Sequence, residues 1–493
     1  MPQAGQQEPD PGTEVAAADE QDVWFHAGTV REVYSRPVAR TLQADYLVVG
    51  AGAFGMAFTD ALVDHSDNTR VVLVDRRHGV GGHWLEAYPF VRLHQSSSFY
   101  GVASTLLGDG SLQTSGPEIG LQERASQPEI TSYYGRVLER LVHSDRVEFL
   151  PDSDFDGHRT VASRISGERF EVPGSCRIVN AHYLAPTIPA EVPPPFAVSD
   201  GARVVPVNEL ARLEDAPSQY VVVGSGKTAT DAIVWLLGRG ADPGTICWVR
   251  PRDPWMLDRA RVQPDPAIFS GLGADIMQAV AASSSLDDAF IRMEDAGVML
   301  RVDRSVTPTM AKAPTLARWE LAGLRTVEDV VRLGHIRSVS RGRLDLDDGS
   351  VRIADDALVV HCAADGLKNP PLVPVWRPSD ITIQPVRAGF PCFAAALVGY
   401  VEATRADDEE KNRVVMPSSY GNSLAQWASM NLLGTRNSKA FSAEPDIKEW
   451  ANGVALNPAR VPPGHPGSPA LDDARERLAE HTGPALEKFA SFS

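Results

Sequence analysis

Apolar β-forming residues gather twice along the chain into short runs that end in a glycine-rich turn and lead into a helically spaced apolar stripe. Ala44-Asp45-Tyr46-Leu47-Val48-Val49-Gly50 is the first run, followed by Phe54, Phe58 and Leu62 at i, i+4 and i+8. Arg70-Val71-Val72-Leu73-Val74-Asp75 then reads as another buried strand, closing on an acid. The pattern returns in Gln219-Tyr220-Val221-Val222-Val223, in a stripe of Ala229, Ile233, Leu236 and Leu237, and in Ile246-Cys247-Trp248-Val249-Arg250, closing on a base. Strand, turn, helix and strand in this order form the unit of a parallel sheet, so the pattern predicts an α/β fold with two such units.

Elsewhere the signals are coarser. Pro186, Pro189, Pro193, Pro194 and Pro195 mark a crossover between the two units. Residues 265–335 read as mainly helical, an insertion placed to cover a substrate. Short alternating runs from Gly334 to Ala364, with Asp347-Asp348-Gly349 as a turn, predict a β-meander, followed by a strand over Ala357-Leu358-Val359-Val360-His361-Cys362. The buried run from Cys392 to Gly399 brings the chain back to the first unit.

The turns carry the chemistry. In Gly50-Ala51-Gly52-Ala53-Phe54-Gly55, Gly50 permits the tight turn, Gly52 a close backbone approach to a pyrophosphate, and Gly55 close packing of helix on strand. The helix start then offers free N–H groups to phosphate oxygens, and Asp75, with Arg76 beside it, stands where a carboxylate binds ribose hydroxyls. In Gly224-Ser225-Gly226-Lys227-Thr228-Ala229 the third glycine is replaced by Ala229. A nucleotide-triphosphate loop of the form GxxxxGK[ST] is excluded, because it needs glycine where Val221 stands. Arg250 and Arg252 follow the next strand, and a guanidinium there suits the 2′-phosphate of NADPH, with Lys227 adding charge near its pyrophosphate. The alternative reading of the two arginines is a solvated strand end.

Composition narrows the class of protein. The 493 residues are 43% hydrophobic and 23% charged, with 47 basic against 64 acidic residues and a net charge of −17. That balance argues against nucleic acid or an anionic membrane as the main partner. Part of the excess sits in Glu8, Asp10, Glu14, Asp19, Glu20 and Asp22, within a stretch read as a loosely attached tail. Cys176, Cys247, Cys362 and Cys392 show no disulfide or metal spacing. No secretory signal or membrane-spanning run is evident, so a cytoplasmic setting is expected, with no metal.

Three further segments carry a family resemblance: Gly79-Val80-Gly81-Gly82-His83-Trp84, then Tyr88-Pro89, then Arg92-Leu93-His94-Gln95-Ser96-Ser97-Ser98. With the two turns they resemble flavin-dependent monooxygenases of the FMO, Baeyer–Villiger and N-hydroxylase type, over roughly residues 44–440. The resemblance implies two Rossmann-like domains, an FAD domain with an inserted NADPH domain. FAD would lie at the first turn, with Gly82, His83 and Trp84 near its ring, and NADPH at the second, contacting Ser225 and Thr228 as well. It also implies O2 and a small molecule as substrates, oxygenated through a flavin hydroperoxide. The expected organisation is a tail over 1–42, FAD-domain segments over 43–190 and 356–440, an NADPH domain over 191–355, and a peripheral or disordered C-terminal segment over 441–493.

The chain departs from the family where Ala-Thr-Gly is usual, having Ala181-His182-Tyr183, and again in Cys362-Ala363-Ala364-Asp365-Gly366. Pro206 stands where the linker histidine is expected, which puts Baeyer–Villiger chemistry in doubt. His94 and Gln95 are the candidate catalytic groups, and Arg413, Asn422 and Trp427 are further residues that could face substrate. Two alternatives stay open: an NAD(P)H-dependent flavin reductase, dehydrogenase or oxidase without oxygen insertion, and a flavin-binding protein without turnover. No cysteine pair lies between Gly50 and Gly120, which removes the thiol relay of the related disulfide reductases.

Overall fold

In a computed structural model describing residues 40–363 and 366–493, two parallel sheets of the same build form the frame. The first takes β1 (Tyr46–Val49), β2 (Val71–Val74), β3 (Val147–Leu150) and β4 (Arg177–Asn180). The second takes β5 (Arg203–Pro206), β6 (Tyr220–Val223), β7 (Ile246–Val249), β8 (Val330–Val331) and β9 (Leu358–His361). The chain then rejoins the first sheet through β10 (Trp376–Arg377) and β11 (Asp380–Thr382). Strand orders are β10-β11-β4-β1-β2-β3 and β5-β9-β6-β7-β8, parallel throughout except for the β10–β11 pair. The α/β architecture with two Rossmann-like units is the predicted one.

Each turn strand sits at the centre of its sheet and feeds a helix, α1 (Ala53–Asp64) after β1 and α2 (Lys227–Gly238) after β6. The two turns are closed alike. Gly50 donates its N–H to Val74 at 2.8 Å and Gly224 donates to Val249 at 3.0 Å, each reaching the last residue of the neighbouring strand. Their φ angles of 105° and 128° lie in the left-handed region, which suits glycine alone among residues without strain. The next crossover passes over each turn, His182 over Gly50 and Cys362-Ala363 over Gly224.

Further helices include α3 (Pro266–Ala281), α4 (Arg318–Leu324), α5 (Pro391–Thr404), α6 (Leu424–Phe441), α7 (Pro445–Gly453) and α8 (Pro469–Phe492). The apolar run from Cys392 belongs to α5, begun by Pro391, a residue pre-set for a first helical turn. It crosses α1 so tightly that a Cβ on Gly399 would lie 2.4 Å from the Phe58 carbonyl oxygen.

Several expected boundaries move. The strand at 358–361 pairs with β5 and β6, so the second domain extends past 355 and the return to the first sheet falls after β9. Residues 40–42 belong to the folded body: Arg40–Thr41 pairs with Arg169–Glu171 and Leu42 is buried, while the tail reading for 1–39 lies outside the described residues. The 265–335 insertion is mixed, because Met299–Leu300 and Met310–Leu316 form a sheet with Pro254–Asp258. The meander over Ile336–Ser340, Arg343–Leu346 and Gly349–Arg352 stands as predicted. The C-terminal segment is ordered rather than loose: α8 lies along α3 and α6, burying Leu471, Ala474, Ala485 and Phe489. A fully buried Leu or Phe side chain contributes about 1.5–3 kcal/mol over leaving it exposed, enough to hold such a helix in place.

Candidate active site between two glycine turns

Both turn helices start open. Gly52 caps α1 and Gly226 caps α2 with no side chain bonded to the first-turn N–H groups, whereas Asp265, Ser423 and Ser468 cap α3, α6 and α8 with their side chains. An uncapped helix start leaves donors and the positive end of the helix dipole for a phosphate. At the first turn, Gly82 approaches Gly52 so closely that a Cβ on Gly82 would be 3.0 Å from the Gly52 Cα. Gly81 donates to the Ala51 carbonyl at 2.9 Å, which binds the 79–84 loop to the turn. Two glycine backbones face to face make a cradle that a side chain would fill.

Asp75 is buried against this cradle, its carboxylate accepting the Ala51 N–H at 2.7 Å and the Arg77 N–H at 2.9 Å. Arg76 turns outward and pairs with Glu191 of the crossover at 3.2 Å. Trp84 packs inward, donating from Nε1 to the Tyr100 hydroxyl at 2.6 Å, and so belongs to the core beneath the loop. His83 lies against Trp84, and burial together with the Arg77 charge lowers its pKa to about 4.

The two domains meet along the polar loop. Tyr88 donates to Asp231 of α2 at 2.7 Å, Phe90 stacks on Trp235 with centroids 4.7 Å apart, and Lys227 pairs with Asp231. His94 is fixed from the second domain: its Nδ1 accepts the Thr315 N–H at 3.3 Å and its carbonyl accepts Arg259 Nε at 3.0 Å. Burial, then the Lys227, Arg259 and Arg124 charges, push its pKa down to about 3. His94 is therefore neutral, and because Nδ1 accepts, the proton resides on Nε2, which has no protein partner among the described residues. A donor that cannot charge at neutral pH suits the work of fixing a bound ring. We expect no His94 ionisation near 6.5 when the imidazole is followed by NMR from pH 5 to 9; a titration there would contradict this environment. Gln95, next along, is buried.

Beneath His94 lies a buried ionic cluster that the sequence did not announce. Arg259 donates to Glu320 at 2.7 Å and to Glu118, and Glu118 also takes Arg124 at 2.9 and 3.0 Å and Trp319 Nε1 at 3.0 Å. Gln263 adds a neutral bridge, accepting the Gln122 N–H at 2.9 Å. The three segments that build it lie far apart along the chain, so no local pattern could have revealed it.

The second turn departs from expectation at Arg250. Its guanidinium is turned inward, 1% exposed, 4.2 Å over the Trp248 ring and 2.9 Å from Asp253. Trp248 in turn donates to the Gly224 carbonyl at 2.7 Å. Arg250 thus stiffens the end of β7 from within, and the solvent-facing guanidinium at this strand end is that of Arg252. Trp427 is likewise core, packed between Phe290 and Phe489, and Asn422 gives its carbonyl to the Ala311 N–H. All four cysteines are buried as free thiols, with pKa values raised by burial. Among the described residues no cluster of three or more His, Cys, Asp or Glu is placed to hold a metal, and no helix is long and apolar enough to cross a membrane.

Comparison with known proteins agrees with this geometry. A family model described as an NAD(P)-binding Rossmann-like domain matches residues 48–90, which hold the first turn and the 79–84 loop. Polycyclic ketone monooxygenase from the thermophilic fungus Thermothelomyces thermophila superposes with a TM-score of 0.50 at 13% identity, over 91% of this chain and 90% of its own. The FAD-containing monooxygenase EthA of Mycolicibacterium smegmatis is 27% identical over 203 residues, 40% of this chain and 39% of that protein. The fold, with its two dinucleotide-type turns, is the one this chain shares with that polycyclic ketone monooxygenase. Within it, the chain belongs to the same family as an uncharacterized protein of Mycobacterium tuberculosis, 38% identical over 437 residues, 87% of this chain and 81% of that protein.

Proposed function

We propose that this chain is an FAD- and NADPH-dependent monooxygenase that oxygenates a small molecule, with heteroatom oxygenation (N-oxygenation above all) ahead of Baeyer–Villiger insertion. The observation that carries this reading is the pair of glycine-capped, open helix starts, one in each sheet, with His94, Tyr88, Lys227 and Asp231 gathered at the seam between the domains. FAD fits the first turn: the α1 N–H groups and the Gly52–Gly82 cradle take its pyrophosphate, and Asp75 presents a carboxylate to its ribose. NADPH fits the second, on the α2 start, with Arg252 for the 2′-phosphate. When bound, FAD supplies the electron transfer and the oxygen chemistry.

The chain's own part is to bind, orient and keep water out. His94 offers a permanent Nε2–H donor at the seam. Its carbonyl is held by Arg259 and Thr315, so the loop that carries it moves only if the domains part. Pro206 supports placing heteroatom oxygenation first: it ends β5 opposite His361, and its ring nitrogen, a tertiary amide without N–H, gives the linker neither a donor nor a titratable group. The same replacement is what favours the second reading, a reductase or oxidase that returns its electrons to O2 as H2O2.

The test follows NADPH and O2 consumption with H2O2 release over a panel of amines and ketones. Oxygenated amine with little H2O2 is expected; stoichiometric H2O2 with every compound would establish the oxidase reading instead. For the coenzyme, Arg252→Gln is expected to raise KM for NADPH about tenfold or more with NADH unaffected, since a charge-assisted hydrogen bond is worth about 1.5–3 kcal/mol. Arg250→Met is expected to leave the NADPH to NADH preference unchanged, and a collapse of that preference in it would return the phosphate to Arg250.

A further inference from the structure

Away from the seam, a cavity of about 450 Å³ opens between α6, α7 and the start of α8, and its charge is one-sided. Arg387 reaches into it from the loop between β11 and α5, and Lys448 and Arg475 line it as well, with Ser438, Asn452 and Asn457 between them. No aspartate or glutamate is part of the lining. Arg387 makes one hydrogen bond, from Nη1 to Asn457 Oδ1 at 3.0 Å, and has no carboxylate partner among the described residues. Its guanidinium carbon stands 5.8–5.9 Å from the ring centres of Phe269, Phe390 and Phe393.

A cation among three phenyl rings gains cation–π attraction but forfeits most of its hydration, and proteins normally answer such a group with an acid. Here the protein supplies none. Burial lowers the Arg387 pKa to about 10, so it is still charged at neutral pH. The position is also fixed: a Cβ on Gly434 of α6 would lie 3.1 Å from the Arg387 Cα, so the helix rests directly on the arginine's backbone. The free guanidinium edge offers the flat paired donors that match a carboxylate, and Phe441 and Val461 give the same cavity apolar wall.

We propose that this cavity is a binding site for a small organic carboxylate, its head on Arg387 and its apolar body against Phe441 and Val461. The site is distinct from the two dinucleotide turns and does not depend on the oxygenation reading. Titration calorimetry on the purified protein with benzoate, with neutral benzamide of the same size, and with inorganic phosphate tests it. Benzoate is expected to bind at least tenfold more tightly than benzamide and phosphate, and Arg387→Met to weaken benzoate about tenfold or more. Equal affinity for benzoate and benzamide would overturn the site, as would unchanged binding in Arg387→Met, and tighter binding of phosphate would overturn the carboxylate assignment. Should Arg387→Met fail to fold, the double variant Lys448→Gln with Arg475→Gln is expected to weaken benzoate severalfold; no change in it would count equally against the proposal.

Discussion

Replacing Gly55 with alanine is expected to yield a protein that neither holds a flavin nor keeps its full stability. A Cβ at that position would lie 1.9 Å from the Gly50 carbonyl oxygen and 3.2 Å from a Val48 methyl. The first contact is to backbone, which cannot rotate away, so either α1 lifts from β1 or the turn opens. Overpacking a core position costs about 1–3 kcal/mol, and this clash is with the loop that shapes the phosphate cradle, so binding should fall further than stability. The second turn supplies an internal control. Ala229 occupies the matching place there and is fully buried, its Cβ accommodated, so Ala229→Gly should cost only the ~1 kcal/mol of a glycine within a helix. Flavin-to-protein ratio and thermal midpoint for the two variants decide the matter. A Gly55→Ala protein that retains full flavin would mean that the first turn is not where the cofactor sits.

Arg259→Met is expected to cost about 3–5 kcal/mol in urea unfolding, the range seen when one member of a buried ion pair is removed and its partners are left charged. Glu320 would lose the guanidinium that Arg259 gives it, while Glu118 would keep Arg124. The same cluster sets an acid limit. Burial raises the Glu118 pKa, but the Arg259 and Arg124 charges outweigh it and hold the carboxyl at about 2, below its ordinary 4.5; Glu320 is also lowered. A carboxylate whose folded pKa is depressed lends stability that is complete above its unfolded value and is lost as pH falls through the folded one. Stability should therefore decline between about pH 4.5 and 2, and more shallowly in Glu118→Gln. Because Arg259 also holds the His94 carbonyl, the variant should release more H2O2 per NADPH than wild type. Wild-type stability and coupling in Arg259→Met would remove the cluster's role.

Local pattern made the two turns legible, since each depends on consecutive residues: a buried strand, glycines at fixed offsets, a helical stripe and a terminal charged residue. The meander at 336–352 was legible for the same reason. Sheet membership was not. The run at 357–362 reads as a buried strand, but nothing in an apolar run says which of two parallel sheets receives it. Arg250 misled because a charge after a strand is ordinarily solvated, whereas here Trp248, two residues earlier on the same face, and Asp253 draw it inside. Proline and charge in the last 50 residues concealed a 24-residue helix whose apolar stripe is broken by Pro484. The seam around His94 and the cavity around Arg387 are assembled from distant segments, and they exist only once the fold does.

An anaerobic titration of the purified protein, reconstituted with FAD and followed through its visible flavin band, tests the two-dinucleotide reading most directly. NADPH is expected to bleach the band with a stoichiometry of one per flavin, and air to restore it. A protein that stays colourless after incubation with FAD, or a bound flavin that neither NADPH nor NADH bleaches, would contradict it.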